Sequence, residues 1–293
     1  MRAAWIKRLL RLSALLPLRL NHVIGAFLGR QMLHGDRTEL RTAITNIKRC
    51  FPEFSESERQ QLLRQSMIEM GKTISEMGLL WFGAPQRVQK LVHEVHGEAL
   101  LKAGRERGKG VILVAPHLGN WELIGTYCSV RYPMTSLYRP PRQEGLEDVV
   151  RNARQRFGAK LVPTSAKGVR ALYQSLSNNE LTGILPDQDP GENGGQFAPF
   201  FGIQASTMTL LSRLAQKSGA TVLCTWAERL PHGRGFALHF SPVPDAIYSD
   251  DMQTSVTALN QAVEAAIRQI PAQYQWGYKR FRTRPEGERE FYD

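Results

Sequence analysis

Between residues 91 and 270, short apolar runs alternate with amphipathic stretches of helical period, and this alternation constrains the fold more than any other feature of the chain. GVILVA (110–115), MTSLY (134–138), AKLV (159–162), LTGILP (181–186), ATVLCTWAE (220–228) and GFALHF (235–240) all have strand length. Helical stretches follow from about Asn120 and at Glu147–Phe157, Lys167–Leu176, Ser206–Ser218 and Val256–Ile270. A run as apolar as GVILVA suits a strand covered on both faces, which calls for helices above and below a mostly parallel sheet. The expected fold class is α/β, a single domain with a mostly parallel central sheet flanked by helices and preceded by an N-terminal helical region. Residues 186–202 read as a Gly-rich loop whose Phe197, Phe200 and Phe201 wall an apolar pocket, dip into lipid or pin the loop to the core.

Residues 37–82 read as helical, with Ser55 and Glu58 spaced as a capping box. A stripe of Leu62, Leu63, Met67, Met70, Ile74 and Met77 then recurs at helical spacing and is expected in the core. The expected organisation is a basic amphipathic membrane-associating segment over 1–33 and a domain over 34–293. The latter divides into a helical part (37–90), a βα core (91–270) and a basic aromatic tail (271–293).

With 42% hydrophobic residues the chain buries a sizeable core, so global disorder is excluded. Its net charge of +11 favours an anionic partner. Six basic residues and no acidic one lie within residues 1–33, yet the longest charge-free run, Leu20–Gly29, is half the ~20 residues that span a bilayer. A Leu-rich basic segment of this kind lies in an anionic interface, or packs its Leu face on the domain. Three scattered cysteines, Cys50, Cys128 and Cys224, spell neither a disulfide framework nor a zinc site and fit a reducing compartment.

Three His-x4-Glu spacings occur: His34/Glu39, His93/Glu98 and His117/Glu122. Only the third follows a buried strand at its carboxyl end, where α/β sheets gather their working residues. There His117 suits a general base, with Glu122 to fix its tautomer. A basic stretch from Arg139 to Arg170 suits phosphates or an acidic protein.

VAPHLGNWELIG (114–125), YRP (138–140), ILPDQD (184–189) and KRFRTRPEG (279–287) occur in one order, and together they resemble the bacterial lipid A late acyltransferases, within the HX4D/E glycerolipid acyltransferases. The resemblance implies transfer of a fatty acyl chain from acyl carrier protein to a hydroxyl on a lipid A precursor, at the cytoplasmic face of the inner membrane. It implies His117 as base, Glu122 as its partner, and functional roles for Arg154 and Asp187. Acyl transfer also needs a donor for the developing oxyanion. Arg154 or the backbone N–H groups of Gly119 and Asn120 suit that task, with Arg139 and Arg156 as further substrate-binding candidates. No cofactor, metal or covalent acyl-enzyme is called for, since no GxSxG elbow is present.

Two other readings compete. Asp187-Gln188-Asp189 resembles the metal-holding DxD of a glycosyltransferase. The chain also suits a non-catalytic peripheral membrane protein. The tail QYQWGYKRFRTRPEG (273–287) has the composition of a nucleic-acid stacker or of membrane-interface anchors. With no RNA- or DNA-binding motif beside it, no nucleic-acid partner is expected.

Overall fold

The computed structural model describes residues 2–138, 147–191 and 194–292. It begins with two helices, α1 (Arg2–Leu15) and α2 (Leu18–Gln31), parted at Pro17, whose ring removes a backbone donor. The expected helix over 37–82 is two, α3 (Thr38–Cys50) and α4 (Glu56–Phe82). Ser55 restarts the chain through a true capping box: Glu58 N–H donates to Ser55 Oγ at 3.3 Å, and Ser55 N–H to Glu58 Oε2 at 2.6 Å.

Small residues, not leucines, dock the first two helices. A Cβ added at Gly71 of α4 would stand 2.1 Å from the Gly25 carbonyl oxygen, and one at Gly29 would stand 2.2 Å from that of Met67. On α1, Ser13 Oγ occupies the space that a Cβ at Gly78 would need. The backbones of α2 and α4 therefore touch, and large apolar side chains are left outside: Trp5 is 63% exposed, Val23 64% and Phe27 57%. The helices do pack on the domain, but through Ser13, Ala14, Leu18, Gly25 and Gly29 rather than a full Leu face. None of the described helices is long and apolar enough to cross a membrane.

The rest of the chain runs through α5 (Pro85–Gln89), β1 (Val92–His96), α6 (Glu98–Glu106), β2 (Val111–Val114), α7 (Trp121–Arg131), β3 (Met134–Tyr138), α8 (Glu147–Gln155) and β4 (Lys160–Pro163). It continues through α9 (Ala166–Ser177), β5 (Leu181–Ile184), β6 (Gly195–Phe200), β7 (Ile203–Met208), α10 (Leu210–Ser218), β8 (Thr221–Arg229), β9 (Phe236–Pro242) and α11 (Met252–Gln269). Seven strands form one sheet in the order β1-β9-β8-β2-β5-β3-β4. Every neighbouring pair is parallel except the β8–β9 hairpin. Successive residues of β2 feed two cores: Ile112 and Val114 one face, Val111 and Leu113 the other. The α/β class and the mostly parallel sheet stand as expected.

Two local readings are corrected. VHEVH at β1 is a polar edge strand, invisible to a search for buried apolar runs. Part of the expected loop 186–202 is the antiparallel hairpin β6–β7, so the helix expected from Ser206 begins at Leu210. Phe200 and Phe201 are buried, and they pin this hairpin to the core.

The crossovers leave β2 and β5 in opposite directions. From β2 the chain passes to β3 beyond β5, and from β5 it passes to β8 beyond β2. This divergence opens a crevice at the carboxyl ends of the two strands.

Because Gly71 meets backbone rather than a movable side chain, Gly71→Ala should destabilise the fold by about 1–3 kcal/mol. Gly125→Ala, on α7 with open space at its Cβ, should fall within about 1 kcal/mol of the parent. Urea unfolding of the two variants checks the contrast.

Candidate active site

Backbone register builds the centre of the site. In the β2–β5 pair Val114 lies opposite Ile184, and Ala115 N–H continues the ladder to Ile184 O at 2.9 Å. His117 and Asp187 each stand three residues past that pair, and they meet. The ring Nδ1 of His117 donates to Asp187 Oδ1 at 2.9 Å, and the His117 backbone N–H donates to Oδ2 at 2.9 Å. Burial pushes the Asp187 carboxyl up, but the imidazole beside it and these two hydrogen bonds outweigh that and hold it below its ordinary value. An ionised carboxylate only accepts, so Nδ1 carries the proton and Nε2 the lone pair. Gln188 Nε2 donates to that lone pair at 3.3 Å, and the Trp121 ring lies 4.8 Å from the imidazole.

The carboxylate that holds His117 is therefore Asp187, not Glu122 as expected. Glu122, in the first turn of α7, accepts from Arg154 of α8 through both oxygens, from Nε at 3.0 Å and Nη2 at 2.5 Å. Burial works against the Arg154 charge, and the Glu122 carboxylate outweighs it. The helical turn thus aims Glu122 across to α8, while the imidazole faces the neighbouring strand's loop.

Between α7, α8 and the sheet lies a cavity of about 70 Å³. Leu113, Ile124, Met134, Leu137, Leu161 and Leu185 supply its apolar lining, and Trp121, Glu122 and Arg154 also line it.

The turn between strand and helix is closed against the rest of the fold. Gly119 has φ +61°, and a Cβ there would stand 2.0 Å from the Ala227 carbonyl oxygen, so only glycine fits. Its N–H donates to Gln273 O at 3.0 Å, and the Asn120 N–H donates to Ala227 O at 2.8 Å. Both groups were expected to serve an oxyanion; both are spent on holding the turn. Arg156 also leaves the proposed set, since it donates to Leu80 O of α4 at 2.6 Å and lies over Phe157. Arg139 lies outside the described residues.

The Asp187-Gln188-Asp189 run is committed to protein donors. Asp187 faces His117, and Asp189 accepts from the N–H groups of Gly191 at 2.7 Å and Thr283 at 2.8 Å. The tail does not lie wholly at the surface as an interface anchor would: Tyr274, Trp276, Arg280 and Phe281 are buried, while Arg282 and residues 286–290 are exposed. It straps the site instead, with Gln275 N–H on His117 O at 3.2 Å and Asp189 N–H on the Tyr278 hydroxyl at 3.1 Å.

Comparison with known proteins agrees with the motif order. The family profile described as bacterial lipid A biosynthesis acyltransferase matches residues 3–283. The chain belongs to this family. It is 32% identical over 251 residues to the lipid A biosynthesis palmitoleoyltransferase of Escherichia coli K12, covering 84% of this chain and 80% of that one. It is also similar to the lauroyltransferase of the same strain, at 29% over 273 residues (93% and 88%). The myristoyltransferase of that strain is 26% identical over 278 residues (94% and 85%). This chain is accordingly an acyltransferase of lipid A biosynthesis, which takes the place of the glycosyltransferase and non-catalytic readings.

Sequence reasoning passed over Gln188 and Trp121 as parts of the acyltransferase site. Gln188 follows Asp187 directly and Trp121 stands one helical turn after His117, and that placement was the available signal. Gln273 and Gln275 carried no local signal, because their partners Gly119, Arg229 and His117 lie more than 40 residues away.

Asp187→Asn should lower kcat by about 10²–10⁴-fold in a steady-state assay, since the variant no longer fixes Nδ1–H or offsets the imidazolium charge. The pH sign follows from the lowered folded-state value. The contact stabilises the fold above the ordinary aspartate range near pH 4 and is lost as pH falls through the folded value. Wild type and variant should therefore converge in stability on acidification.

Proposed function

We propose that the acyltransferase moves a fatty acyl chain from acyl carrier protein to the hydroxyl of a 3-hydroxyacyl chain on a lipid A precursor, at the cytoplasmic face of the inner membrane. The observation that carries this reading is the His117–Asp187 contact, with Trp121 standing between the imidazole and an apolar cavity that it lines. His117 Nε2 takes the proton of the acceptor hydroxyl, in the place where the Gln188 amide now stands. The hydroxyl oxygen bonds to the thioester carbonyl carbon, and the carbonyl becomes an oxyanion. When it collapses the C–S bond breaks, and the imidazolium returns its proton to the carrier thiolate.

Asp187 steadies the imidazolium while it exists. Arg154, held by Glu122 at the cavity wall, is the donor assigned to the oxyanion, since the N–H groups of Gly119 and Asn120 are engaged. The apolar lining suits the acyl chain. Direct transfer is favoured over an acyl-cysteine: all three cysteines are buried, and burial pushes the Cys128 and Cys224 thiols up to about 12 and Cys50 higher still.

The outward leucines of α1 and α2, beside Arg8, Arg11 and Arg19, support seating on an anionic lipid surface, with acidic acyl carrier protein drawn by the net positive charge. Helices α1 and α2 act here as one kinked segment docked along α4 with a greasy outer face.

With acyl-loaded carrier protein and a lipid A precursor, His117→Ala should cut turnover by at least about 10³-fold in protein that is still folded at the assay temperature. Near-normal turnover removes the mechanism. EDTA should leave the rate unaltered, and an EDTA-abolished activity would restore the metal reading. Replacing Leu9, Leu12 and Phe27 together by Ser should reduce co-sedimentation with phosphatidylglycerol vesicles several-fold. Unchanged sedimentation places attachment elsewhere.

A further inference from the structure

Behind the catalytic turn lies a carboxylate that the mechanism has not used. Glu76 of α4 is 1% exposed and accepts from three different side chains. Arg229, the last residue of β8, donates through Nε at 2.5 Å and Nη2 at 2.7 Å. His22 of α2 donates through Nε2 at 2.6 Å, and Asn120 through Nδ2 at 2.8 Å. Burial pushes the Glu76 carboxyl up, but the Arg229 guanidinium and these hydrogen bonds more than offset this and draw it down to about 2. Arg229 also reaches Glu69 at 2.7 Å and the Thr73 hydroxyl at 2.9 Å.

A buried ion pair of this kind is a poor source of net stability, because desolvation consumes most of the attraction and apolar replacements often do as well. Its connections suggest another use. Asn120 stands three residues after His117 and two before Glu122, and its backbone N–H is bonded to Ala227 of β8. The backbone N–H and carbonyl of Arg229 clasp the Gln273 side chain at 2.8 and 3.1 Å. Gln273 O in turn accepts from Gly119 N–H. Both routes out of Glu76, through Asn120 and through Arg229, end on residues 119–120.

We infer that Glu76 is a positioning residue for acyl transfer, acting through the Asn120 side chain and through Arg229 to hold the turn that presents His117 and Glu122. His22 brings α2 into the same cluster, so the N-terminal helical segment is part of the scaffold of the site. The inference rests on His117 being the base.

The test compares Glu76→Gln, Asn120→Ala, their double variant and His117→Ala in the full-length protein, with acyl-loaded carrier protein and lipid A precursor as probes. Asn120→Ala leaves the Glu76–Arg229 pair intact and keeps the test valid if Glu76→Gln fails to fold. A displacement of about 1 Å at a reacting group costs on the order of 10²-fold. Asn120→Ala and a folded Glu76→Gln should each lower kcat ~10–100-fold with both KM values within about two-fold. The double variant should be no slower than the slower single. Asn120→Ala at wild-type kcat, or losses that track unfolding and raise KM in step, would overturn the positioning role while leaving the base assignment intact. His117→Ala at wild-type turnover would instead remove the underlying reading.

Discussion

The in-register parallel pairing of β2 with β5 sets the separation of His117 from Asp187 before any side chain is considered. Val114 and Ile184 lie opposite one another, and each strand is followed by three residues that reach the same height above the sheet. The hydrogen-bonded ladder is a stiff ruler, so the imidazole and carboxylate arrive at hydrogen-bond distance without a flexible loop having to find it. Opposed crossovers then leave the space above those strand ends open to a substrate.

The surrounding fold prevents that arrangement from relaxing. The turn after His117 is bonded to β8 through Ala227 and to the tail through Gln273 and Gln275. The loop after β5 is bonded to the tail through Asp189, Tyr278 and Thr283. Aromatic residues of the tail are buried because they form this strap, and Asn46 of α3 holds its backbone at Trp276 and Tyr278.

Charge is handled in pairs. Asp187 accepts from the His117 ring, and Glu122 neutralises Arg154 at the wall of an apolar cavity. Each partner lowers the cost of keeping the other out of water, so polar machinery and a hydrocarbon chain can occupy adjoining space. The N-terminal helical segment follows a similar economy of surfaces. Glycines bring α2 against α4 at backbone contact, and the leucines and aromatics that would ordinarily fill such an interface remain on its outer side.

Composition and periodicity alone determined the α/β class, most strand positions, the capping box at Ser55 and the placing of His117 at a strand end, because each depends on local spacing or on burial of contiguous residues. Motif order added the family. Tertiary structure decided which carboxylate serves His117: Glu122 is the neighbour in the chain, but Asp187, 70 residues away, is the neighbour across the sheet. It also decided that the N–H groups of Gly119 and Asn120 are engaged, that Arg156 holds α4, and that Tyr274, Trp276, Arg280 and Phe281 of the tail turn inward. Strand order and register create contacts between distant segments, and no periodicity within a segment encodes which strand will lie beside it.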